Sequence, residues 1–282
     1  MQPLPVLAAA NLQFQFDVDF FLKFVFQPSP ALIGGLAITI YAAIIAQVAG
    51  VILGVFSALA GMARNPVLRG ISGAYVWFFR GTPVLVQMFL VYFGTPYLLG
   101  GIDLFPNHVL FGPVDVRGAI LAGMVALGVN EGAYMSEIVR AGILSVDPGQ
   151  TEAAKSLGMT YRLTMSRIVL PQALRVIVPP LGNEFNNMLK TTSLMSIIAV
   201  EELFRVAQAA NSATFKSFEA FFGVALYYLA LTTIWSWIQG RIETRLGRGT
   251  RSSEQVTMRE RLIGFRFGRP HGSGGGAGPG GL

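Results

Sequence analysis

Asn183, Asn187 and Lys190 fall at i, i+4 and i+7, and Glu184, Asn187 and Thr191 at i, i+3 and i+7. On an α-helix each set is one face, so carboxylate, amide, ammonium and hydroxyl groups stand side by side. They sit in an otherwise apolar segment, where a charged group costs about 2.5–3.5 kcal/mol or more unless it faces a cavity or a partner. Two readings stay open: the stripe lines the path of a polar solute, or it is an ion-pair network or polar seam between helices. Glu131 is a further candidate for solute contact, deep in its segment and without a local partner. Glu137, about 120° round the same helix, pairs more naturally with Arg140 one turn on. The two glutamates share one site only if the helix bends at Gly128 or Gly132. Other chemistry is scarce: there is no cysteine, and the two histidines, His108 and His271, do not make a zinc site.

The elements that carry these residues belong in a bilayer. Charged residues make up 13% of the 282-residue chain, against roughly 25% in soluble domains, which excludes an ordinary cytosolic enzyme. Uncharged runs lie between Lys23 and Arg64, Arg80 and Asp103, and Glu219 and Arg241. They predict spans at about 32–60, 82–100 and 219–240. Two weaker candidates, 117–140 and 174–203, carry the buried acids and Lys190. The fold class is therefore an all-α integral membrane protein with about five transmembrane helices. Fifteen basic residues then fall on one side, in 61–72, 140–175 and the tail, against four on the other: Lys23, Arg117, Arg205 and Lys216. This puts the N-terminus outside and the C-terminus inside, as an odd number of spans requires.

That asymmetry explains the pI near 9.8 without any nucleic-acid partner. Residues 1–29, rich in Phe and without a signal-peptide pattern, form an interfacial segment on the lipid bilayer. Residues 30–240 are the transmembrane domain, and 241–282 a basic, Gly-rich, disordered cytoplasmic tail. Within that tail Arg259–Phe267 suits the anionic inner leaflet. Gly50 and Gly54 read as a close helix contact. Tyr75, Trp77, Tyr92, Tyr97, Trp235 and Trp237 read as interfacial belts. Thr82-Pro83 opens the second span and leaves Arg80 to snorkel among headgroups.

The longest inside loop, 146–171, is expected to be two short helices. Asp147 caps the first, Pro148 takes its first position, and Gln150 completes a capping box. Ala153, Ala154 and Leu157 make an apolar stripe, and Gly158 ends the helix in the left-handed conformation. Thr160 caps the second, which stops at Pro171. Such a knob suits insertion into a partner's groove.

Glu152-Ala153-Ala154, three residues, Gly158, nine residues, then Ile168, Leu170 and Pro171 resemble the EAA loop of binding-protein-dependent ABC importer permeases. Over roughly residues 30–240 the chain is similar to the polar amino acid branch. The matching runs are Phe79-Arg80-Gly81-Thr82-Pro83 with Gln87, Ala133 to Ile143, Pro171-Gln172-Ala173-Leu174-Arg175, and Lys190-Thr191-Thr192-Ser193-Leu194. It departs at Thr191, where that branch often carries an Asp. The resemblance implies a multi-pass permease of the bacterial plasma (inner) membrane. It implies pairing with a second permease, identical or similar, above two ATPase subunits, and an extracytoplasmic binding protein that delivers an amino acid. ATP and Mg would be used by the ATPase, which agrees with the missing GxxxxGK[ST] loop, so this chain would bind no cofactor and hold no catalytic residue. Glu152, Ala153, Ala154, Gly158, Ile168, Leu170 and Pro171 would couple it to the ATPase. A free amino acid has both an ammonium and a carboxylate, and the 183–191 stripe offers counterparts to each. The alternative is an ion-gradient-driven secondary transporter of small polar solutes, which would favour internal repeats; no convincing repeat is found.

Overall fold

The computed structural model describes residues 16–111 and 114–246. Residues 241–246, expected as the start of a disordered tail, are instead the last turns of a helix that runs to Leu246; the rest of the tail lies outside the described residues, and the Phe-rich start is described from Phe16 onward. The chain runs α1 (Val18–Phe26), α2 (Pro30–Gly61), α3 (Pro66–Gly81), α4 (Val84–Phe89), a π-helical turn, and α5 (Thr95–Leu98). A hairpin of β1 (Val109–Phe111) and β2 (Val114–Val116) follows, pairing Val109 with Val116. After it come α6 (Gly118–Leu144), α7 (Pro148–Ser156) and α8 (Tyr161–Thr164). The last elements are α9 (Leu170–Thr191), α10 (Leu203–Thr214) and α11 (Ser217–Leu246). The fold is helical as expected, apart from that small hairpin.

Parallel packing of α2 on α6 forms the core, with Ala46 beside Gly128, Gly50 beside Glu131 and Gly54 beside Met135, and small residues set its closeness. Ala42, Ala43 and Ala46 of α2 and Ala122 and Ala126 of α6 are fully buried. A Cβ at Gly50 would stand 2.5 Å from the Cγ of Glu131, so only glycine lets the two backbones approach this closely. The expected Gly50/Gly54 contact is thus made, with Gly54 against Met135. Around this pair the outer faces carry exposed Ile44, Val48, Ile52 and Phe56 on α2, and Leu229, Ile234 and Trp237 on α11. Exposed aliphatic rows of this kind are what lipid solvates.

Three helices among the described residues, α2, α6 and α11, are long and apolar enough to cross a membrane. A fourth span is formed if α3 and the α4–α5 segment count as one, bent by 105°. Here the sequence expectation needs correction. Residues 61–72 are not a loop: Asn65 caps α3 through Val67 N–H, and Pro66 takes the first position. The second span therefore begins with α3, and the break falls at Thr82-Pro83. The segment expected at 174–203 is α9 followed by a 3₁₀ turn over Thr192–Ile198. It fails the same length-and-apolarity test because it holds Arg175, Glu184, Lys190 and two internal prolines.

Burial also ranks the helices. Of the most apolar stretch, 67% is buried in α6 but 11% in α11. α6 is the central post and α11 a peripheral one. The N-terminal segment has protein contacts as well. Lys216 pairs with Asp17, Asp17 N–H donates to Glu219, and the Tyr227 hydroxyl donates to Val25 O at 2.6 Å. The rings of Phe21 and Phe222 stack, so α1 is docked along the first half of α11.

Candidate functional site

Five of the six residues read as a solute path meet in one place. Glu131 from α6 and Glu184, Asn187, Lys190 and Thr191 from α9 line a cavity of about 480 Å³. Asn130 and Tyr134 of α6 and Val84 of α4 complete its wall. Among the described residues, the side chains of Glu184, Asn187 and Lys190 form no hydrogen bond or ion pair, and Asn187 and Lys190 are exposed to the cavity. Two carboxylates, one ammonium and two amides thus face a common space. That set can hold a solute bearing both charges, and its net charge is negative.

Glu131 was expected to have no local partner, and the structure supplies one from another helix. Gln47 of α2 donates its Nε2 to Glu131 Oε1 at 2.9 Å. Gln47 Oε1 is buried without a partner. The sequence could not place this pair, because 84 residues separate its members.

Asn183 is the sixth residue, and it does not join. Its Oδ1 accepts from Gln239 Nε2 of α11 at 3.3 Å, outside the cavity. Position 183 is seven residues before 190, two turns back toward the end of α9 that packs on α11. α11 meets the helix there. Gln239 also donates to Pro179 O at 3.2 Å and to Glu243 at 2.8 Å, and Trp235 Nε1 donates to Gly182 O at 2.7 Å. Trp235 and Tyr75 are therefore internal donors, not belt residues; the Tyr75 hydroxyl donates to Val129 O at 2.6 Å.

A polar brace below the cavity was missed altogether. Gln87 Nε2 donates to Phe79 O and Thr82 Oγ1, and Asn130 Nδ2 donates to Phe79 O and Gln87 Oε1. These bonds satisfy the backbone groups freed at the bend between α3 and α4 and tie it to the cavity wall. The only sequence signal was polarity itself, in the run Phe79–Pro83 with Gln87. Arg80 does not simply snorkel: it lies 3.8 Å from Glu137 and over the Tyr134 ring at 5.3 Å. The Glu137–Arg140 pair forms as expected, at 2.9 Å.

The loop 146–171 is built from its own short-range rules. Asp147 Oδ1 accepts from Gly149 N–H at 2.7 Å and Pro148 opens α7. The expected capping box is not completed, since Gln150 contributes its backbone N–H to Asp147 O. Gly158 is left-handed (φ +76°), with Gly158 N–H bonded to Lys155 O and Met159 N–H to Ala154 O, a Schellman ending. The apolar stripe divides: Ala154 is buried, while Ala153 and Leu157 are exposed. Thr160 occupies the capping position of α8 without a side-chain cap bond. Pro171 does not stop the second helix. A π-helical turn over Met165–Val169 leads straight into α9, where Pro171 lies in the first turn and needs no N–H partner. Glu152 is exposed on α7, Ile168 is half-buried in the π turn, and Leu170 is exposed beside it. The second half of the loop and the cavity stripe are consequently two ends of one continuous helical rod, Tyr161 to Thr191, with α7 hinged to it at Gly158.

Relatives of known description share this arrangement of sequence. Residues 50–248 match the family described as binding-protein-dependent transport system inner membrane component. The chain is 38% identical over 230 residues to a probable amino-acid permease protein, YxeN, of Bacillus subtilis (strain 168), covering 82% of this chain and 97% of that one. It is 39% identical over 227 residues to the arginine transport system permease protein ArgU of Corynebacterium glutamicum, covering 79% and 69%. Among solved structures, the crystal structure of an amino acid ABC transporter with histidines superposes with a TM-score of 0.69 at 38% identity, covering 80% of this chain and 98% of that one. This chain belongs to the family of inner membrane components of binding-protein-dependent transport systems.

Proposed function

We propose that this chain is the transmembrane subunit of an ATP-driven importer of polar amino acids, with a preference for basic ones. The observation that carries the reading is the cavity where Glu131, Glu184, Asn187 and Lys190 face one space. A basic amino acid presents two cationic groups and one carboxylate, the mirror of two glutamates and one lysine. The relative described as an arginine transport permease points the same way.

In this reading five spans cross a bacterial plasma membrane, N-terminus outside, with α3 to α5 as one broken span and α9 as the fourth. Two copies, or this chain and a similar one, pair above two ATPase subunits, and an external binding protein delivers the solute. The chain itself carries out no catalysis. The exposed Leu157 (82%) and Tyr161 (74%) flank the Gly158 turn and would seat in the ATPase. Closure of the ATPase would then push on α7, and the π turn would pass that motion to α9.

The test is ATP-dependent uptake of labelled basic, acidic and amide amino acids by the assembled transporter, with binding protein present. Uptake of the basic group, abolished by Leu157→Asp with Tyr161→Asp while the protein still folds, is the expected result. Uptake that continues without ATP, or in the loop variant, would overturn the importer reading. Uptake confined to acidic substrates would overturn the substrate preference alone.

A further inference from the structure

A second cavity, of about 360 Å³, opens at the end of the bundle where α2 finishes and α3 begins. Arg69, Gly73, Trp77 and Arg80 of α3 and Glu137 and Arg140 of α6 line it. Its charges do not balance. Glu137 lies 2.9 Å from Arg140 and 3.8 Å from Arg80, so one carboxylate faces two guanidinium groups. Arg69, one helical face along from Arg80, makes no ion pair among the described residues. Two positive charges are left uncompensated, and part of the wall is apolar, from Ala58, Val76 and Trp77.

An excess cation at the edge of a bilayer is stabilised by an anion that can enter with it. Guanidinium forks match phosphate oxygens in geometry as well as charge, and arginines lining one cavity can hold a phosphate between them. The Trp77 ring, 76% exposed beside the opening, is the aromatic type that settles at headgroup level. Open space at Gly73, with no heavy atom within 4 Å of a Cβ built there, leaves room for the anion against α3.

We propose that Arg69, Arg80 and Arg140 form a binding site for a phosphate-bearing anion, a role separate from the solute cavity. The phosphate can come from a phospholipid headgroup or from free phosphate in solution. The experiment titrates delipidated full-length protein with phosphatidylglycerol, phosphatidylcholine and inorganic phosphate, following bound ligand by native mass spectrometry. The expected result is binding of phosphatidylglycerol over phosphatidylcholine, weakened about tenfold in Arg69→Gln. Arg69→Lys should keep most of the affinity, and Arg205→Gln, a charge removed from α10, should leave it unchanged. Inorganic phosphate that binds with the same sensitivity to Arg69→Gln while phosphatidylglycerol does not would assign the site to free phosphate. Equal affinity in the wild type and Arg69→Gln for every ligand would overturn the proposal, as would equal loss in Arg205→Gln.

Discussion

α9 has two polar faces, and they are treated in opposite ways. Toward α11, most polar groups meet a partner: Asn183 and Pro179 O take Gln239, Gly182 O takes Trp235, and Asn186 donates to Ser236 at 3.1 Å, although its own Oδ1 is buried with no hydrogen bond among the described residues. Toward α6, Glu184, Asn187 and Lys190 face open space with no partner among the described residues. The closed face carries amides and backbone carbonyls, and the open face an amide, a hydroxyl and two charges. The difference is satisfaction. A polar group with a protein partner fixes where a helix sits, while one aimed into a cavity retains its bonding capacity for something else.

The sharpest way to break this contrast is to neutralise the open face. Glu184→Gln should lower uptake of a basic amino acid by ~30-fold or more, the loss of about 2 kcal/mol of charge-assisted contact, with the thermal midpoint unchanged. Unchanged uptake together with a lower midpoint would make Glu184 structural and erase the distinction. The closed face should respond the other way. Gln239→Leu leaves Pro179 O and Asn183 without their donor and should cost about 1–3 kcal/mol of stability. Uptake per folded molecule should stay within about twofold, since no free energy of solute binding is altered. Trp235→Phe is milder: the ring keeps its edge contact with Phe185 at 4.4 Å and loses only the bond to Gly182 O, about 1 kcal/mol. Asn183→Ala and Asn187→Ala form a matched pair, the first expected to affect stability and the second uptake.

Sequence alone could not separate Asn183 from Asn187. Helical spacing puts residues on a common face but does not say which neighbour each turn of that face will meet, and α11 reaches α9 at Asn183 but not at Asn187. Short-range signals served better. Asp147-Pro148 and the left-handed Gly158 mark helix ends because capping depends on residues within one turn. Pro171 misled for a related reason: proline is tolerated in a first helical turn, and the preceding π turn makes that position a first turn. Contacts across long separations were invisible, among them Gln47 with Glu131, Asn130 with Gln87, and Tyr228 with Glu202. α10, capped by Glu202 through the N–H groups of Phe204 and Arg205, was missed because it is short and flanked by polar residues.

α11 is held at a second place by a contact of another kind, and pH separates the two. Its grip on α9 uses uncharged donors, whereas its start is clasped to α1 by Lys216 and Asp17. The hydrogen bond from Lys216 holds the Asp17 carboxyl below its usual 3.8, with the N–H of Phe20 adding to the effect. A carboxylate with a lowered folded value contributes its stability above the unfolded value and loses it as pH falls through the folded one. The clasp should therefore be complete at neutral pH and open only below about pH 4. Spin labels at Leu22→Cys and Ala225→Cys, introduced into a chain with no native cysteine, would report the α1–α11 distance directly. The expected trace is constant from neutral pH down to that point and then lengthens. Asp17→Asn should show the acid-state distance at every pH. Because each partner is still about one-third solvent-exposed (35% and 36%), screening should keep the effect on overall stability small, below that of Gln239→Leu. A clasp that stayed shut in Asp17→Asn would mean that the stacked Phe21 and Phe222 rings and the Tyr227 bond, not the ion pair, seat α1.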